Sequence, residues 1–418
     1  MTPFTEAELA PTRRPLLEAS MLPPRAFTDE SVAAWEVEHL FLGGWVNVCH
    51  ASVLAERGAF VTRQIGGENL LFVGDEEGRP RGFHNVCRHR GARLVDALEG
   101  KVRRLQCPYH AWSYAFDGSL RSAPQTEHLV DFDPSCHGLT PVRTAVVEGL
   151  VFCDVSGEAP PIEEHIGSLH EQLARYRVGE LRRARAISYD VAANWKAIVE
   201  NYSECLHCPG VHPELNRLSH YRSGVGHSGP GRWCGGSMAL REGAGTMAAG
   251  GGRAGRPPIA GLDGAALREV LYYAIFPNCL VSLHPDYVML HTLWPDGPAR
   301  TLVRCEWFFE PATMEEPGFD AGDAVGFWDT VNRQDWEVCE LTQKGVGSRG
   351  YVRGRYTEAE RDVHAFDRMV ADAYLAGQGL SRRPVANSQH DHATQIAAIA
   401  AVTPSDSATD TSLVPRKP

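Results

Sequence analysis

Between about residues 43 and 155, apolar residues alternate with polar ones over short runs. Residues 59–64, 69–73 and 149–155 each read as a strand. Gly66-Gly67, Gly74-Asp75 and Asp117-Gly118 supply turns between them. This stretch predicts a small all-β unit. Ahead of it, residues 31–41 repeat their apolar positions at the helical period. From about Pro160 the pattern changes. Residues 162–176 predict a helix, 184–191 a strand, and a further helix starts near Asn194. Strands return at 270–275, 287–294 and 301–310, and helices at 324–343 and 357–376. Residues 235–264 are rich in Gly, Ala and Pro and predict a mobile loop over or near a site. After about Ser381 the chain turns to Ser, Thr, Asp, Pro and Ala, the composition of a disordered tail. There is no internal repeat.

These changes divide the chain into four parts: an N-terminal helical segment at 1–42, an all-β domain at 43–156, a mixed domain at 157–380 and a tail at 381–418. The first segment is expected to pack on the mixed domain. A chain of 418 residues has room for one large core or two ordinary ones. Its net charge of −11, without long Lys/Arg runs, argues against wrapping nucleic acid or lying on an anionic membrane. No apolar run reaches the length of a membrane-spanning helix. The first twenty residues carry Glu6, Glu8 and Glu18 and no apolar stretch of the signal-peptide kind, and Arg13-Arg14 is followed by none either. A cytoplasmic protein is therefore expected. Its eleven cysteines are then thiols or metal ligands, not a disulfide framework.

Two short motifs in the β unit carry soft and imidazole donors together: Cys87-Arg-His89 and Cys107-Pro-Tyr-His110, with seventeen residues between His89 and Cys107. Zinc can use Cys₂His₂, and a Rieske [2Fe–2S] cluster also needs two Cys and two His. Zinc fingers usually pair like with like. Here each loop offers one Cys and one His, so each loop can reach both irons of a cluster.

A second constellation is Asn194-Trp-Lys-Ala-Ile-Val-Glu200-Asn-Tyr-Ser-Glu204-Cys-Leu-His207-Cys-Pro-Gly-Val-His212-Pro213. On one continuous helix Glu200, Glu204 and His207 would share a face, with Pro209 ending the helix and His212 arriving from the next turn. Two histidines and a later carboxylate build a facial triad that leaves positions open beside Fe(II). Two other patterns compete. Cys205-x-x-Cys208 reads as a redox or zinc pair, although His207 and Pro209 beside it favour the iron reading. Gly243-x-Gly245-x-x-Ala248 resembles a degenerate dinucleotide fingerprint, but it follows no clear strand and opens no helix.

CRHRGA and CPYHAWSY resemble the Rieske loops of ring-hydroxylating oxygenases, with Ala92 and Tyr109 where the respiratory type carries extra cysteines. E-x-x-H-x-x-x-x-H-P after N-W-K resembles the catalytic domain of the same family. The resemblance, over about residues 21 to 380, implies an α+β fold: a Rieske domain, then a catalytic domain with a helix-flanked antiparallel sheet. It implies that Cys87, His89, Cys107 and His110 hold a [2Fe–2S] cluster and that His207 and His212 bind a mononuclear Fe(II). The family's third ligand is an Asp in an E-D-x-x-V-C-E-like segment. Gln334-Asp335-Trp-Glu-Val-Cys-Glu340 matches it, so Asp335 is implied, with Asp329 and Glu337 as fallbacks and Gln where the family has Glu. Glu204 matches the acid that relays electrons between ligand histidines of both iron sites across a subunit boundary. A terminal oxygenase is thus implied, using O₂ and electrons from a separate NAD(P)H-dependent reductase, since no flavin or NAD site is evident. A head-to-tail homotrimer is implied as well.

ENYSECLHCPGVHPEL and FPNCLVSLHPDYVMLHTLWP look most like the branch acting on quaternary amines, which includes glycine betaine, carnitine and choline monooxygenases and stachydrine demethylase. Hydroxylating an N-methyl group yields a hemiaminal that collapses to formaldehyde and the demethylated amine. A trimethylammonium group calls for an aromatic cage, and Tyr202, Trp233, Tyr273, Phe276, Tyr287 and Trp294 are candidates. An aromatic hydroxylase or O-demethylase would use the same residues. A Rieske electron carrier without oxygenase activity would need no His207, His212 or Asp335, and a zinc-stabilised binding module is the remaining alternative.

Overall fold

The computed structural model describes residues 2–376. The tail expected at 381–418, and the last four residues of the domain expected to end at 380, lie outside the described residues.

Among the described residues the strands form two seven-stranded sheets and one of three strands. The first part contributes β1 (Val46–His50), β2 (Ala59–Ile65), β3 (Glu68–Gly74), β4 (Pro80–His84), β5 (Glu99–Lys101), β6 (Leu105–Gln106), β7 (Ser113–Tyr114), β8 (Leu120–Ser122), β9 (Pro141–Val147) and β10 (Leu150–Asp154). Their orders are β1-β10-β9-β4-β3-β2-β5 and β6-β7-β8. The second large sheet uses β11 (Arg182–Val191), β12 (Val225–Gly226), β13 (Trp233–Ala239), β14 (Glu269–Ile275), β15 (Cys279–Leu283), β16 (Val288–Pro295) and β17 (Thr301–Phe309), in the order β11-β17-β16-β15-β14-β13-β12. All of its pairings are antiparallel. With helices packed on both faces this is the expected α+β architecture.

The alternation of side chains along β14 sorts two cores. Leu271, Tyr273 and Ile275 join Ile166, Leu169 and Leu173 on one face of the sheet. Val270 and Ala274 join Trp195, Ile198 and Phe366 on the other, with Tyr272 packed against them. Those last residues come from the helices Trp195–Tyr202 and Arg361–Ala376, and with Gly322–Val346 they carry the chemistry described below. The two sheets meet through charge: Arg183 bonds Glu99 at 2.9 Å and Glu306 at 2.7 Å, and Arg304 reaches Glu99 at 3.0 Å.

Three local expectations are corrected. The helix expected over 162–176 is two, Ile162–Ile166 and Leu169–Arg175. They break at Gly167, where φ is +52° and a Cβ would sit 1.9 Å from the Pro230 carbonyl oxygen. The Gly-rich segment expected to be mobile begins inside β13. Gly235 there has φ +140°, and a Cβ would meet the Tyr272 carbonyl oxygen at 2.0 Å. Further on, Met247 and Ala248 are buried, and Arg256 is pinned between Asp286 (2.9 Å) and Asp323 (2.6 Å). β15 was not expected, because its five residues lie between Pro277 and Pro285.

The N-terminal segment locks onto the helices of the second domain through a buried polar network. Glu36 accepts from Lys196 Nζ at 2.6 Å and Trp195 Nε1 at 2.9 Å, and from the Tyr374 hydroxyl. One layer deeper, Glu200 and Asp367 face each other. Burial, reinforced by Asp367, raises Glu200 well above the ordinary carboxyl range, and burial raises Asp367 to about 6 against its bonds from Tyr356 and Glu200 and the nearby charge of Lys196. Both folded values lie above the unfolded ones. Their stabilising protons are therefore fully present below about pH 4 and are lost as pH rises through about 6 and beyond. Between pH 5 and 7 stability should fall by up to about 1.4 kcal/mol per pH unit for each proton lost. Asp367→Asn should flatten that slope in thermal melts across this range; an unchanged slope would show that the pair does not hold these protons.

Candidate metal centres and active site

The two Cys/His loops share one backbone design. In the first, between β4 and β5, Cys87 N–H donates to the Ala92 carbonyl and Gly91 N–H to the Cys87 carbonyl. In the second, between β6 and β7, Cys107 N–H donates to the Trp112 carbonyl and Ala111 N–H to the Cys107 carbonyl. Cys87 and Cys107 are buried in one apolar cluster with Leu94, Leu105 and Trp112. His89 and His110 are exposed, with ring centroids 4.7 Å apart, and His89 stacks on Trp112 at 4.9 Å. The Tyr114 hydroxyl lies 3.3 Å from Cys87 Sγ and accepts from Arg88 N–H at 3.0 Å. Two thiols facing inward and two imidazoles at the surface form a donor set that fits a [2Fe–2S] cluster, which these four residues would hold.

The second constellation is built differently from the continuous helix expected. The helix starts at Asn194, whose side chain accepts from Lys196 N–H, but it ends at Tyr202. Ser203 Oγ donates to the Val199 carbonyl at 2.7 Å, and the Glu204 carboxylate reaches forward to accept from Leu206 N–H. Such side-chain bonds compete with helix continuation. Pro209 therefore opens the short helix Cys208–Val211 instead of closing the long one, and Pro213 opens the next, Pro213–Leu218. Glu200 stays on the long helix, inside the buried network, away from His207.

This path brings His207 and His212 to Asp335 on Gly322–Val346. Their ligand atoms lie within 4.8 Å of one another. Asp335 Oδ1 is 2.7 Å from His212 Nε2 and 3.3 Å from His207 Nε2. On their far sides, His207 Nδ1–H donates to Glu204 Oε1 at 2.6 Å and His212 Nδ1–H to Gln334 Oε1 at 2.7 Å. Gln334 thus does with an amide oxygen what a Glu would do: it turns Nε2 inward. Burial works against a charged His207, but the bonds to Asp335 and Glu204 outweigh it and lift its pKa to about 9. Burial likewise opposes ionised Asp335, yet the two histidines hold it below the usual carboxylate range. Two carboxylates gathered around imidazole suit a cation, and two N and one O with space beside them fit Fe(II). The fallbacks lie elsewhere: Asp329 accepts from the Tyr189 hydroxyl at 2.8 Å and pairs with Arg333, and Glu337 is exposed.

Cys205 and Cys208 flank His207 and are joined by a disulfide, with a Cα–Cα distance of 5.1 Å. This pair departs from the expectation of thiols or metal ligands, because the tight turn closed by Cys208 N–H on the Cys205 carbonyl brings the two sulfurs together. Gly243 and Gly245 lie in the loop after β13 and open no helix.

The space beside the triad is about 60 Å³ and adjoins a wider cavity of about 280 Å³ across Tyr202, Glu204, Cys205, Met238 and Tyr272. Of the six aromatic candidates, only Tyr202 borders the triad pocket. Trp233 packs edge-on to Tyr273 at 5.5 Å, and Tyr273 lies in the core on the opposite sheet face. Tyr287 is buried with its hydroxyl donated to the Met247 carbonyl, Phe276 lines a separate cavity, and Trp294 sits at the junction of the two domains near Arg63 and Glu99. The aromatic wall is completed by two residues that the sequence reading missed, Tyr272 and Trp328. Tyr202 and Tyr272 meet at 6.0 Å, Tyr272 and Trp328 at 6.4 Å, and Trp328 Nε1–H donates to the Tyr287 hydroxyl at 2.6 Å. Trp328 was findable: it precedes Asp335 by two helical turns. Tyr272 was not, since choosing it over its neighbour Tyr273 requires knowing which sheet face holds the site.

The chain also resembles known proteins over both domains. The family model for the Rieske [2Fe-2S] domain matches residues 44–133, and that for the ring hydroxylating alpha subunit (catalytic domain) matches residues 178–376. The glycine betaine monooxygenase oxygenase subunit of Chromohalobacter salexigens is 30% identical over 364 residues, covering 80% of this chain and 81% of that protein. The carnitine monooxygenase oxygenase subunit of Escherichia coli (strain K12) is 30% identical over 379 residues, 88% of this chain and 92% of that one. The crystal structure of the quaternary ammonium Rieske monooxygenase CntA with its substrate L-carnitine superposes with a TM-score of 0.74 at 25% identity, covering 90% of this chain and 100% of that one. No helix among the described residues is long and apolar enough to cross a membrane. Both motif sets fall inside the matched domains, and a relative at 30% identity spans most of both chains: this chain belongs to the Rieske non-haem iron oxygenases, as the alpha subunit that acts as terminal oxygenase.

Proposed function

We propose that the protein monooxygenates an N-methyl group of a small quaternary ammonium compound of the betaine type and releases formaldehyde and the demethylated amine. The observation that carries this reading is the aromatic wall of Tyr202, Tyr272 and Trp328 beside the His207–His212–Asp335 triad. Aromatic faces attract a desolvated cation by up to about 2 kcal/mol, and a methyl group held there lies next to the triad. The names of the relatives point to the same class of substrate.

In this reading Cys87, Cys107, His89 and His110 hold the cluster, and His207, His212 and Asp335 hold Fe(II). When bound, these groups supply single electrons and a place where O₂ is reduced beside the substrate. The chain's own residues prepare that place. Glu204 and Gln334 orient the two imidazoles, and the helix bearing Asp335, packed through Trp328, Val331 and Trp336 on its inner face, fixes where the carboxylate projects. The aromatic wall excludes water and holds the cation. His89 and His110 are exposed, and Glu204 stands behind His207 near the protein surface. A head-to-tail homotrimer would set one chain's imidazoles against the next chain's Glu204, which would then relay the electron. The electrons would come from NAD(P)H through the separate reductase.

The test is turnover of iron-loaded protein with a surrogate reductase, NADH and O₂, scored by product and formaldehyde. The panel comprises glycine betaine, carnitine, choline, stachydrine and several aromatic acids. Stoichiometric formaldehyde from one methylammonium compound is expected. A hydroxylated or O-demethylated aromatic acid, with no formaldehyde from any amine, would overturn the substrate reading. With the amine identified, Tyr202→Ala should raise its KM about 10- to 30-fold, the loss of roughly 2 kcal/mol of cation–ring attraction. Tyr202→Phe, which keeps the ring, should stay within about threefold. Equal effects on the amine and on a neutral tert-butyl analogue as inhibitor would argue against a cation site.

A further inference from the structure

The Cys205-x-x-Cys208 pair has no part in holding iron or cation, yet it stands beside both. Cys205 and Cys208 border the triad pocket, and Cys208 Sγ lies 4.0 Å from His207 Nε2, the nitrogen that faces Asp335. Cys205 is half-buried and also lines the wider cavity, whose rim carries the exposed Leu206, Arg222 and Val225. A small solute in either space meets Cys205. Cys208 is buried.

This pair is unlike the other cysteines. Among the described residues it forms the only disulfide, and of the free cysteines only Cys136 is exposed. Cys136 has no second cysteine joined to it. Burial pushes the Cys49 thiol up to about 12, which keeps it protonated and inert. Cys205 and Cys208 combine one reachable sulfur with a second in bonding contact, the arrangement that reversible thiol oxidation needs.

The turn that holds them has other ties. Cys208 N–H donates to the Cys205 carbonyl at 3.1 Å. Glu204 accepts from Leu206 N–H and, at 2.6 Å, from His207 Nδ1–H. These bonds keep the sulfurs side by side and His207 aimed at Asp335 with the S–S bond made or broken. The pair can therefore change redox state without dismantling the triad.

We propose that Cys205 and Cys208 form a redox-active site that reduces hydrogen peroxide beside the triad and is restored by a dithiol. Two-electron reduction of O₂ without substrate yields peroxide, and a trap for it belongs where O₂ is reduced. In the reduced pair, Cys205 Sγ attacks one peroxide oxygen. The O–O bond breaks, water leaves, and Cys205 becomes a sulfenic acid. Cys208 Sγ then attacks Cys205 Sγ. The S–O bond breaks, a second water leaves, and the disulfide forms. The two thiols supply both electrons and both protons. An external dithiol attacks Cys205 Sγ, the accessible sulfur, releases Cys208 as a thiol and closes into its own disulfide, freeing Cys205.

The test uses added peroxide, so its outcome does not depend on which amine is the substrate. Full-length, iron-loaded protein is reduced with dithiothreitol, desalted without air and given an equimolar amount of hydrogen peroxide. Alkylation and peptide mass spectrometry should find Cys205 and Cys208 alkylated before peroxide and protected after it, with Cys136 still free. Dithiothreitol should restore both thiols. Cys208→Ser removes the resolving thiol, so dimedone should trap a sulfenic acid on Cys205. Asp335→Ala, without the mononuclear iron, should show the same protection as the native protein. Cys205 and Cys208 still alkylated after peroxide, Cys136 oxidised before them, or a disulfide that dithiothreitol does not open in the folded protein would each overturn the proposal. Protection lost in Asp335→Ala would also overturn it, by making the iron the reductant of peroxide.

Discussion

Asp335→Ala should remove the mononuclear iron and leave the cluster untouched. Iron per chain is expected to fall from about three to about two, with acid-labile sulfide unchanged, because the cluster accounts for two irons and the triad for one. Asp335 Oδ1 is the only carboxylate oxygen given to the triad among the described residues, 2.7 and 3.3 Å from the two Nε2 atoms. Without it, His207 is left to Glu204, whose carboxylate favours the protonated imidazole, a form that cannot bind metal. No neighbour on the same helix can step in, since Asp329 is committed to Tyr189 and Arg333, and Glu337 faces solvent. Product formation should fall below detection, while the visible absorption and electron paramagnetic resonance of the reduced cluster stay native. Three irons per chain in Asp335→Ala would remove Asp335 from the ligand set.

The second large effect is expected at Glu204. Glu204→Gln keeps the size of the side chain and an oxygen for His207 Nδ1–H, so iron content should remain close to three. It loses the charge and the second acceptor oxygen that holds Leu206 N–H. Replacing a partner of a ligand histidine commonly costs about 10–100-fold in activity. As Glu204 is also proposed to carry the electron between subunits, coupled product formation should fall on the order of 100-fold or more. The discriminating readout is the cluster: in prereduced Glu204→Gln given substrate and O₂, its reoxidation should slow by the same factor. Native coupled turnover would contradict the relay role.

What could be read from the sequence followed from chemistry that restricts residue type. Two Cys/His pairs in short loops, and two histidines followed by a distant acid, leave few alternatives, and the structure gathers His207, His212 and Asp335 into one cluster. The strand pattern was legible for the same kind of reason, because period-2 runs bounded by Gly and Asp have few other uses. What escaped depends on contacts distant in sequence or on competing local bonds. The helix ends at Tyr202, where Ser203 bonds back to Val199 and Glu204 forward to Leu206 N–H, local bonds that helical period cannot reveal. The aromatic wall escaped because Tyr272 and Tyr273 are equivalent until the β13–β14–β15 register assigns them opposite faces. The segment around Met247 looked featureless because its order comes from Asp286, Tyr287 and Asp323, forty or more residues away for most of its contacts.

One chain is proposed to carry both an electron-storing cluster and the iron site at which its electrons are used. A single-turnover experiment separates that arrangement from an electron carrier. The protein is reduced chemically, freed of reductant and reductase, and mixed with O₂ and the methylated amine found in the panel assay. Formaldehyde is expected at up to one per mononuclear site, at the same rate as the cluster reoxidises, and none from Asp335→Ala. Cluster reoxidation at an equal rate in both proteins, without formaldehyde in either, would contradict it and leave an electron carrier.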